Sequence, residues 1–315
     1  MRPGLVQWLS RSAERFPRNE AVVQGDVRVT YADLWRRVLA VARVLRDKNV
    51  APGARVALLL ENSPEYVAAY YGVLAAGGAV VALNTQTKAH DLINWLSHSE
   101  ASAVVVDASH PQATAVHEWA RGRAVEIVVG ENTAQLGDVV SWEAVVATAA
   151  HDTFAVPSPN SLAAIIYTSG TTGKPKGVML SHANLSANVE SILAYLHLTE
   201  NDRIVNVLPF YYSYGNSVLH THLAVGACVV LENSLVYPHK VVERMVAERA
   251  TGFSGVPSTY ALFLNRVTLA QYDLSSLRYL TQAGGAMSPA NVERVRAALP
   301  QAKFFVMYGQ TEATA

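Results

Sequence analysis

A net charge is the first thing this chain lacks: 25 Lys and Arg balance 25 Asp and Glu. No global field is available to gather a phosphate backbone or an anionic membrane, so nucleic acid is not an expected partner; a local basic site stays open. Cysteine is nearly missing too. Cys228 stands alone, which excludes an intramolecular disulfide and points to a reducing, cytoplasmic setting. The N-terminal MRPGLVQWLSRSAERFP carries charges throughout and has no apolar core of a secretory signal. The uncharged run from Tyr66 to Leu83 reaches 18 residues, but Gly77-Gly78 breaks it and a β-branched run (AVVAL) follows. A buried helix and then a buried strand is the expected outcome, not a membrane span. Heptads, low-complexity tracts and short internal repeats are absent as well.

What is present fits a globular protein. Of 315 residues, 50% are hydrophobic and 16% charged, enough for one large domain or two ordinary ones. Helical and strand patterns alternate. Thr30-x-x-Asp33 resembles a capping box opening a helix to about Lys48. Strands are expected at 56–60, 79–83, 103–106, 125–129, 163–167, 204–208, 228–231, 277–280 and 304–307. Helices are expected from Pro64, at 89–96, 112–121, 183–196, 240–248 and 289–299. This order implies an α/β fold with largely parallel sheets, whose ligands gather beyond the C-terminal ends of strands. A looser stretch at 151–160, with PSPN reading as a turn, marks a candidate subdomain join.

The densest local signal is Tyr167-Thr-Ser-Gly-Thr-Thr-Gly-Lys-Pro-Lys-Gly177, directly after the apolar AAIIY. Gly170, Gly173 and Gly177 let the backbone turn tightly and present N–H groups. Thr168, Ser169, Thr171 and Thr172 add hydroxyls, and Lys174 and Lys176 add charge; such a set suits a polyphosphate. A Walker loop fits poorly, because Pro175 follows Lys174 and the VML after Gly177 reads as another strand. The plain alternative is a Gly/Thr hairpin with exposed lysines.

TSGTTGKPKGVMLSHANL closely resembles the signature of the adenylate-forming (AMP-binding) superfamily, which includes acyl- and aryl-CoA synthetases, nonribosomal adenylation domains and luciferases. Two later segments match in the expected order: QAGGAMSP (282–289) and YGQTE (308–312). The resemblance runs from about residue 5 to the end. It implies the large N-terminal domain of that fold over 1–315, with stacked, mostly parallel sheets flanked by helices. It also implies a reaction: a carboxylate attacks the α-phosphorus of ATP, pyrophosphate leaves, and the acyl group passes to CoA. Two unit charges about 4 Å apart repel by about 4 kcal/mol at an effective dielectric of 20, so cations and donors must be held in place before two anions can meet. Ser169, Thr171, Thr172 and Lys176 are the expected phosphate contacts. Glu312 occupies the family's Mg2+ carboxylate position, and Thr311 the position whose hydroxyl reaches the α-phosphate. Tyr308 is placed to stack on adenine, worth about 1–3 kcal/mol by analogy with other base stacks. Gly284, Gly285 and Ala286, with Gly309 and Gln310, complete the nucleotide set. A surface Thr-Glu pair and an ordinary strand-end turn are the plain readings of these short segments.

The acid pocket is expected in LPFYYSYGNS (208–217), with Tyr211, Tyr212, Tyr214 and Gly215, and in Ser254, Gly255 and Val256. Tyr212 is the first choice as a lining residue, against a core or rim aromatic. Amino-acid-activating relatives place an Asp in the first region; Val207 to Leu231 contains no Asp or Glu, so a fatty, alicyclic or aryl acid fits better. His220-x-His222 lies in an expected helix where the two side chains point apart, which disfavours a metal pair. Cys228 reads as a buried filler. For His182, approach to the site and a structural role both stand.

The family pattern continues past Ala315, with a ribose-binding Asp, a hinge and a small mobile C-terminal domain carrying a lysine. The expectation is therefore a fragment, a trimmed chain or a degenerate protein, weakly active or inactive as residues 1–315, from an active parent. Two acceptors stay open, CoA or the phosphopantetheine of an acyl carrier protein. So does a non-catalytic nucleotide-binding remnant, although the loop and Glu312 are intact.

Overall fold

The computed structural model describes residues 3–131, 136–149, 153–168 and 176–314. The chain divides into two compact units: Met1–Ser10 with Ala32–Ser186, and Arg11–Tyr31 with Ala187–Ala315. It opens with α1 (Leu5–Arg15), β1 (Glu20–Gln24), β2 (Val27–Thr30) and α2 (Tyr31–Asp47). There follow β3 (Arg55–Leu59), α3 (Pro64–Ala75), β4 (Ala79–Ala82), α4 (Ala89–His98), β5 (Ala101–Asp107), α5 (Ala113–Ala120) and β6 (Val125–Val129). Then come β7 (Val140–Ser141), α6 (Trp142–Ala147), β8 (Leu162–Thr168), β9 (Lys176–Ser181), α7 (His182–Leu196), β10 (Arg203–Asn206), α8 (Ser213–Val225) and β11 (Cys228–Leu231). The chain finishes with α9 (Pro238–Ala247), β12 (Gly252–Gly255), α10 (Pro257–Arg266), β13 (Tyr279–Gln282), α11 (Pro289–Ala298) and β14 (Lys303–Val306).

The first unit holds a seven-stranded sheet in the order β7-β6-β5-β3-β4-β8-β9. All neighbours are parallel except the hairpin β8–β9. Its central strands are buried on both faces, which is why they read as continuous Val- and Ala-rich runs. The uncharged stretch after Tyr66 resolves as expected. Ser63 caps α3 by accepting from the Tyr66 amide at 3.0 Å, and Pro64 takes the first turn, where its missing N–H costs nothing. The helix ends at Ala75; Gly77 has φ +85°, and a Cβ on Gly78 would sit 3.1 Å from the Ala54 carbonyl oxygen. Only glycine lets the chain reverse so close to that carbonyl and enter β4.

The second unit holds another seven-stranded sheet, in the order β14-β13-β12-β10-β11-β1-β2. Again every neighbour pair is parallel except the hairpin, here β1–β2. The N-terminal edge of this sheet is tied by Asp202, just ahead of β10. Its carboxylate accepts from Arg278 Nε and Nη2 (2.7 and 2.6 Å), from Thr251 Oγ1 (2.7 Å) and from the Thr199 amide (2.8 Å). Burial pushes this carboxyl up, but the Arg278, Thr251 and Thr199 hydrogen bonds and the Arg278 charge outweigh it and hold Asp202 below its ordinary range. Gly252 is a packing requirement, since a Cβ there would sit 1.9 Å from the Tyr279 ring. His222 on α8 is fully engaged: Nδ1 donates to the Val218 carbonyl at 2.7 Å, so Nε2 accepts from Tyr279 OH at 2.6 Å. Cys228 is buried, and burial pushes its thiol up to about 12, so it is a packing residue with no thiolate at neutral pH. Among the described residues, no helix is long and apolar enough to cross a membrane.

Candidate active site

In the second unit the chain leaves β10 toward β11 on one side and leaves β12 toward β13 on the other. Crossovers that depart in opposite directions open a crevice beyond the C-terminal ends of the two strands. A cavity of about 450 Å³ lies there, lined by segments that follow β10, β12, β13 and β14. Its walls include Tyr212, Tyr214, Gly215, Val256, Gly284 and Thr311. Gly309 and Gln310 also border it. Of the expected acid-pocket residues, Tyr211 is not in the wall; it is buried and meets the Tyr212 ring edge-on at 4.7 Å. Tyr212 is 49% exposed.

The wall is assembled by specific contacts. Asn206, at the end of β10, donates from Nδ2 to the Leu208 carbonyl at 2.9 Å and so fixes the turn into 208–212. Gly215 must lack a side chain, because a Cβ would come within 2.2 Å of the Pro209 carbonyl oxygen. Behind the wall runs a buried hydroxyl chain. Tyr214 OH lies 2.7 Å from Thr281 Oγ1, which lies 2.7 Å from Ser254 Oγ. Burial raises the Tyr214 phenol, opposed by its Thr281 and Ser254 hydrogen bonds, so it stays neutral at physiological pH. Ser254 and Gly255 are thus one layer removed from the cavity and act on it through Thr281 and Val256.

Of the expected nucleotide residues in this unit, Gly284, Gly309, Gln310 and Thr311 line the cavity, and Gly285, Ala286 and Tyr308 adjoin them in sequence. Gln282 Nε2 donates to the Gly285 carbonyl at 2.8 Å and braces the turn in which Gly284 takes φ +82°, a backbone state that favours glycine. Gly285 and Ala286 are exposed in the same turn. Tyr308 is 86% exposed, with Gln310 Nε2 donating to its hydroxyl at 2.8 Å. Thr311 Oγ1 lies 3.4 Å from Ser213 Oγ, and Glu312 stands exposed in the 3-10 turn Thr311–Ala313. Among the described residues, no charged side chain lines the cavity. Two helices, α8 and α10, begin at its wall, and neither N-cap side chain bonds into its helix; α10 opens with Pro257, which has no N–H, and its Thr259 amide already meets the Val256 carbonyl at 3.0 Å, so α8 offers the more open end. Uncapped helix N-termini present N–H groups and a partial positive charge.

In the first unit, Thr168 and Lys176 are direct cross-strand partners at the end of the β8–β9 hairpin. The expected phosphate residues Ser169, Gly170, Thr171, Thr172, Gly173 and Lys174 lie outside the described residues. Thr168 is half-buried and Lys176 exposed. Gly177 is required by packing, since a Cβ would meet Ile165 Cγ2 at 2.9 Å. Tyr167 anchors the strand end: its ring stacks on Trp95 at 4.9 Å, and its hydroxyl lies 2.9 Å from His98 Nδ1.

Sequence reasoning did not name Thr281, Thr259 or Leu235. Thr281 sits one residue before the QAGGAMSP segment, so the signal was adjacent. Leu235, in the loop after β11, carries no local pattern that marks it.

Residues 9–315 match the family described as AMP-binding enzyme. The chain is 32% identical over 311 residues to a feruloyl-CoA synthase of Amycolatopsis sp, covering 98% of this chain and 60% of that protein. It is 28% identical over 335 residues to a long-chain-fatty-acid–CoA ligase of Bacillus subtilis (strain 168), covering 97% of this chain and 59% of that protein. Among solved structures, a benzoate CoA ligase from Burkholderia xenovorans LB400 superposes with a TM-score of 0.87 at 26% identity, covering 99% of this chain and 62% of that one. The chain thus spans about three-fifths of the length of these curated relatives.

Proposed function

Because the chain belongs to the family of AMP-binding enzymes, we propose that its protein joins a carboxylic acid to AMP from ATP, releases pyrophosphate, and passes the acyl group to CoA. The observation that carries the reading is the cavity at the β10/β12 crevice, with no charged side chain among its described walls and the start of α8 at its edge. Such a place receives an apolar acid body and offers N–H groups to its carboxylate and the phosphate it meets. Lys174 and Lys176 of the Gly/Thr loop supply the cations that let two anions approach.

The residues present fit the nucleotide and the metal. Gly284 keeps the backbone open beside the cavity, and Tyr308 offers a bare ring for adenine. Glu312 is one exposed carboxylate beside cavity-lining Thr311, which suits Mg2+, an ion that takes few protein ligands and otherwise phosphate oxygens and water. When bound, the ion neutralises developing phosphate charge; Thr311 donates its hydroxyl to the α-phosphate, and the 168–177 loop holds the leaving pyrophosphate. The absence of Asp and Glu from 207–231 favours a fatty, alicyclic or aryl acid over an α-amino acid. CoA is the acceptor named in the relatives above, and the same first half-reaction would also serve a carrier protein.

The test offers fatty, alicyclic and aryl acids with ATP and Mg2+ to the protein carrying this chain. Acyl-AMP is read by mass, and CoA and holo-carrier protein are supplied in parallel. An acyl-adenylate with at least one acid supports the reading. ATP binding without adenylate from any acid overturns it.

A further inference from the structure

A second enclosed space lies entirely within the first unit, away from the loop end of its hairpin. It has a volume of about 180 Å³ and sits where the 155–159 segment, the start of α1 and the start of α7 meet. Leu5, Val6, Val156 and Pro157 supply most of its apolar wall, with His182 and Ser186 as polar members. His182 is 95% buried (5% exposed), and its Nε2 has no hydrogen-bond partner among the described residues. A buried nitrogen left unpaired costs about 1–3 kcal/mol and calls for an explanation.

Several of the neighbouring polar groups are already engaged. Ser186 Oγ donates to the Pro3 carbonyl at 3.1 Å, and Gln7 Oε1 accepts from the Gly4 amide at 2.7 Å. The first amides of α7 are also taken: His182 N by Ser161 O at 3.1 Å and Ala183 N by Pro159 O at 2.7 Å. Among the described residues no Lys, Arg, Asp or Glu lines the space, so they give an ion neither a counter-charge nor a free helix end there. Burial lowers the His182 imidazole below its ordinary value, which keeps it neutral. A filling of water fits badly, since each water needs 2–4 polar partners. By size the space matches a single ring: a cavity of roughly 150 Å³ holds benzene in another protein.

We propose that this space is a binding site for a small uncharged amphiphile, a single-ring phenol or an alcohol of similar bulk, whose hydroxyl pairs with His182 Nε2. A hydroxyl both donates and accepts, so it satisfies either imidazole tautomer. The apolar body replaces water against Leu5, Val6 and Val156. Val156, 60% exposed, marks the mouth.

The test titrates phenol and benzene into the intact protein and follows the His182 imidazole resonance, so binding elsewhere does not count. Phenol is expected to shift that resonance saturably, with benzene at least tenfold weaker. Read instead on the Leu5 and Val6 methyl resonances, His182→Ala should weaken phenol at least tenfold while leaving benzene within about threefold. Ala183→Leu, which fills the space from another wall, should abolish both while the His182 signal persists. No saturable shift up to the solubility of phenol, equal affinity for the two probes, or undiminished binding in Ala183→Leu overturns the proposal. If His182→Ala does not fold, the probe ratio and Ala183→Leu decide it.

Discussion

The two units repeat one strand plan without repeating a sequence. In each, five strands follow in chain order as β3 to β7 or β10 to β14, and a hairpin from elsewhere adds a parallel strand and an antiparallel one at the same side. The difference lies at the C-terminal edges. In the second unit, β10 and β12 part over a cavity of about 450 Å³. At the matching edge of the first unit the loops are cross-tied: Thr85 Oγ1 donates to Glu61 Oε1 at 2.6 Å, and His110 Nε2 lies 2.9 Å from the Thr85 carbonyl. The hairpins differ in the opposite sense. In the second unit β1 and β2 are joined only by Gly25 and Asp26, whereas β8 and β9 are joined by the Gly/Thr/Lys segment. Topology supplies two equivalent crevices and two equivalent hairpins; side chains decide which crevice stays open and which hairpin carries the donors.

The sharpest way to break this contrast is Glu312→Ala in the protein carrying this chain. With Glu312 proposed as the Mg2+ ligand, its removal should cost roughly 100- to 1000-fold in turnover, the size typical of losing one group that stabilises developing charge, and pyrophosphate exchange measures it. An unchanged rate would remove the second unit's crevice from the chemistry. Next in size is the tie at the closed edge of that sheet. Arg278→Met strands the buried Asp202 carboxylate, at a cost toward the low end of about 3–5 kcal/mol because Arg278 is 40% exposed. Asp202 titrates lower in the folded chain than its ordinary 3.8. Its contribution is therefore complete above that value and lost as pH falls through the folded value; an acid-unfolding curve that loses this step in Arg278→Met confirms the sign. Thr281→Val leaves the Tyr214 and Ser254 hydroxyls without their shared partner. It should cost about 1–3 kcal/mol in urea unfolding and change the ranking of acids more than it changes ATP affinity. The smallest effect is expected from Glu61→Gln in the first unit, within about 1 kcal/mol of stability and with no change in turnover. A large loss of activity there would mean that both crevices work.

Much of this was legible from the residues. The switch from helix to strand inside the uncharged 66–83 run followed from two glycines and a β-branched tail, and α2, α4, α7 and α11 start and stop within a few residues of their patterns. The β1–β2 hairpin was missed because EAVVQ and VRVT are short and laced with polar residues, although Gly25-Asp26 between them is a turn signal. The paired strand plans could not be read, because order across a sheet is set by long-range pairing and not by periodicity. At the site, the glycines and tyrosines announced themselves by clustering. Thr281 did not, since one hydroxyl at a strand end looks like any other until Tyr214 and Ser254 are seen converging on it.

The distant origin of β1 has a consequence for synthesis. Val22 on β1 pairs with Val229 on β11, so the hairpin leaves the ribosome some two hundred residues before the strand it leans on. At about 5–20 residues per second, that is a wait on the order of 10–40 s. During this interval the apolar Ala21, Val22 and Val23 have no sheet to join, whereas in the other sheet the longest wait, that of Val80 on β4 for Ala164 on β8, is about 84 residues.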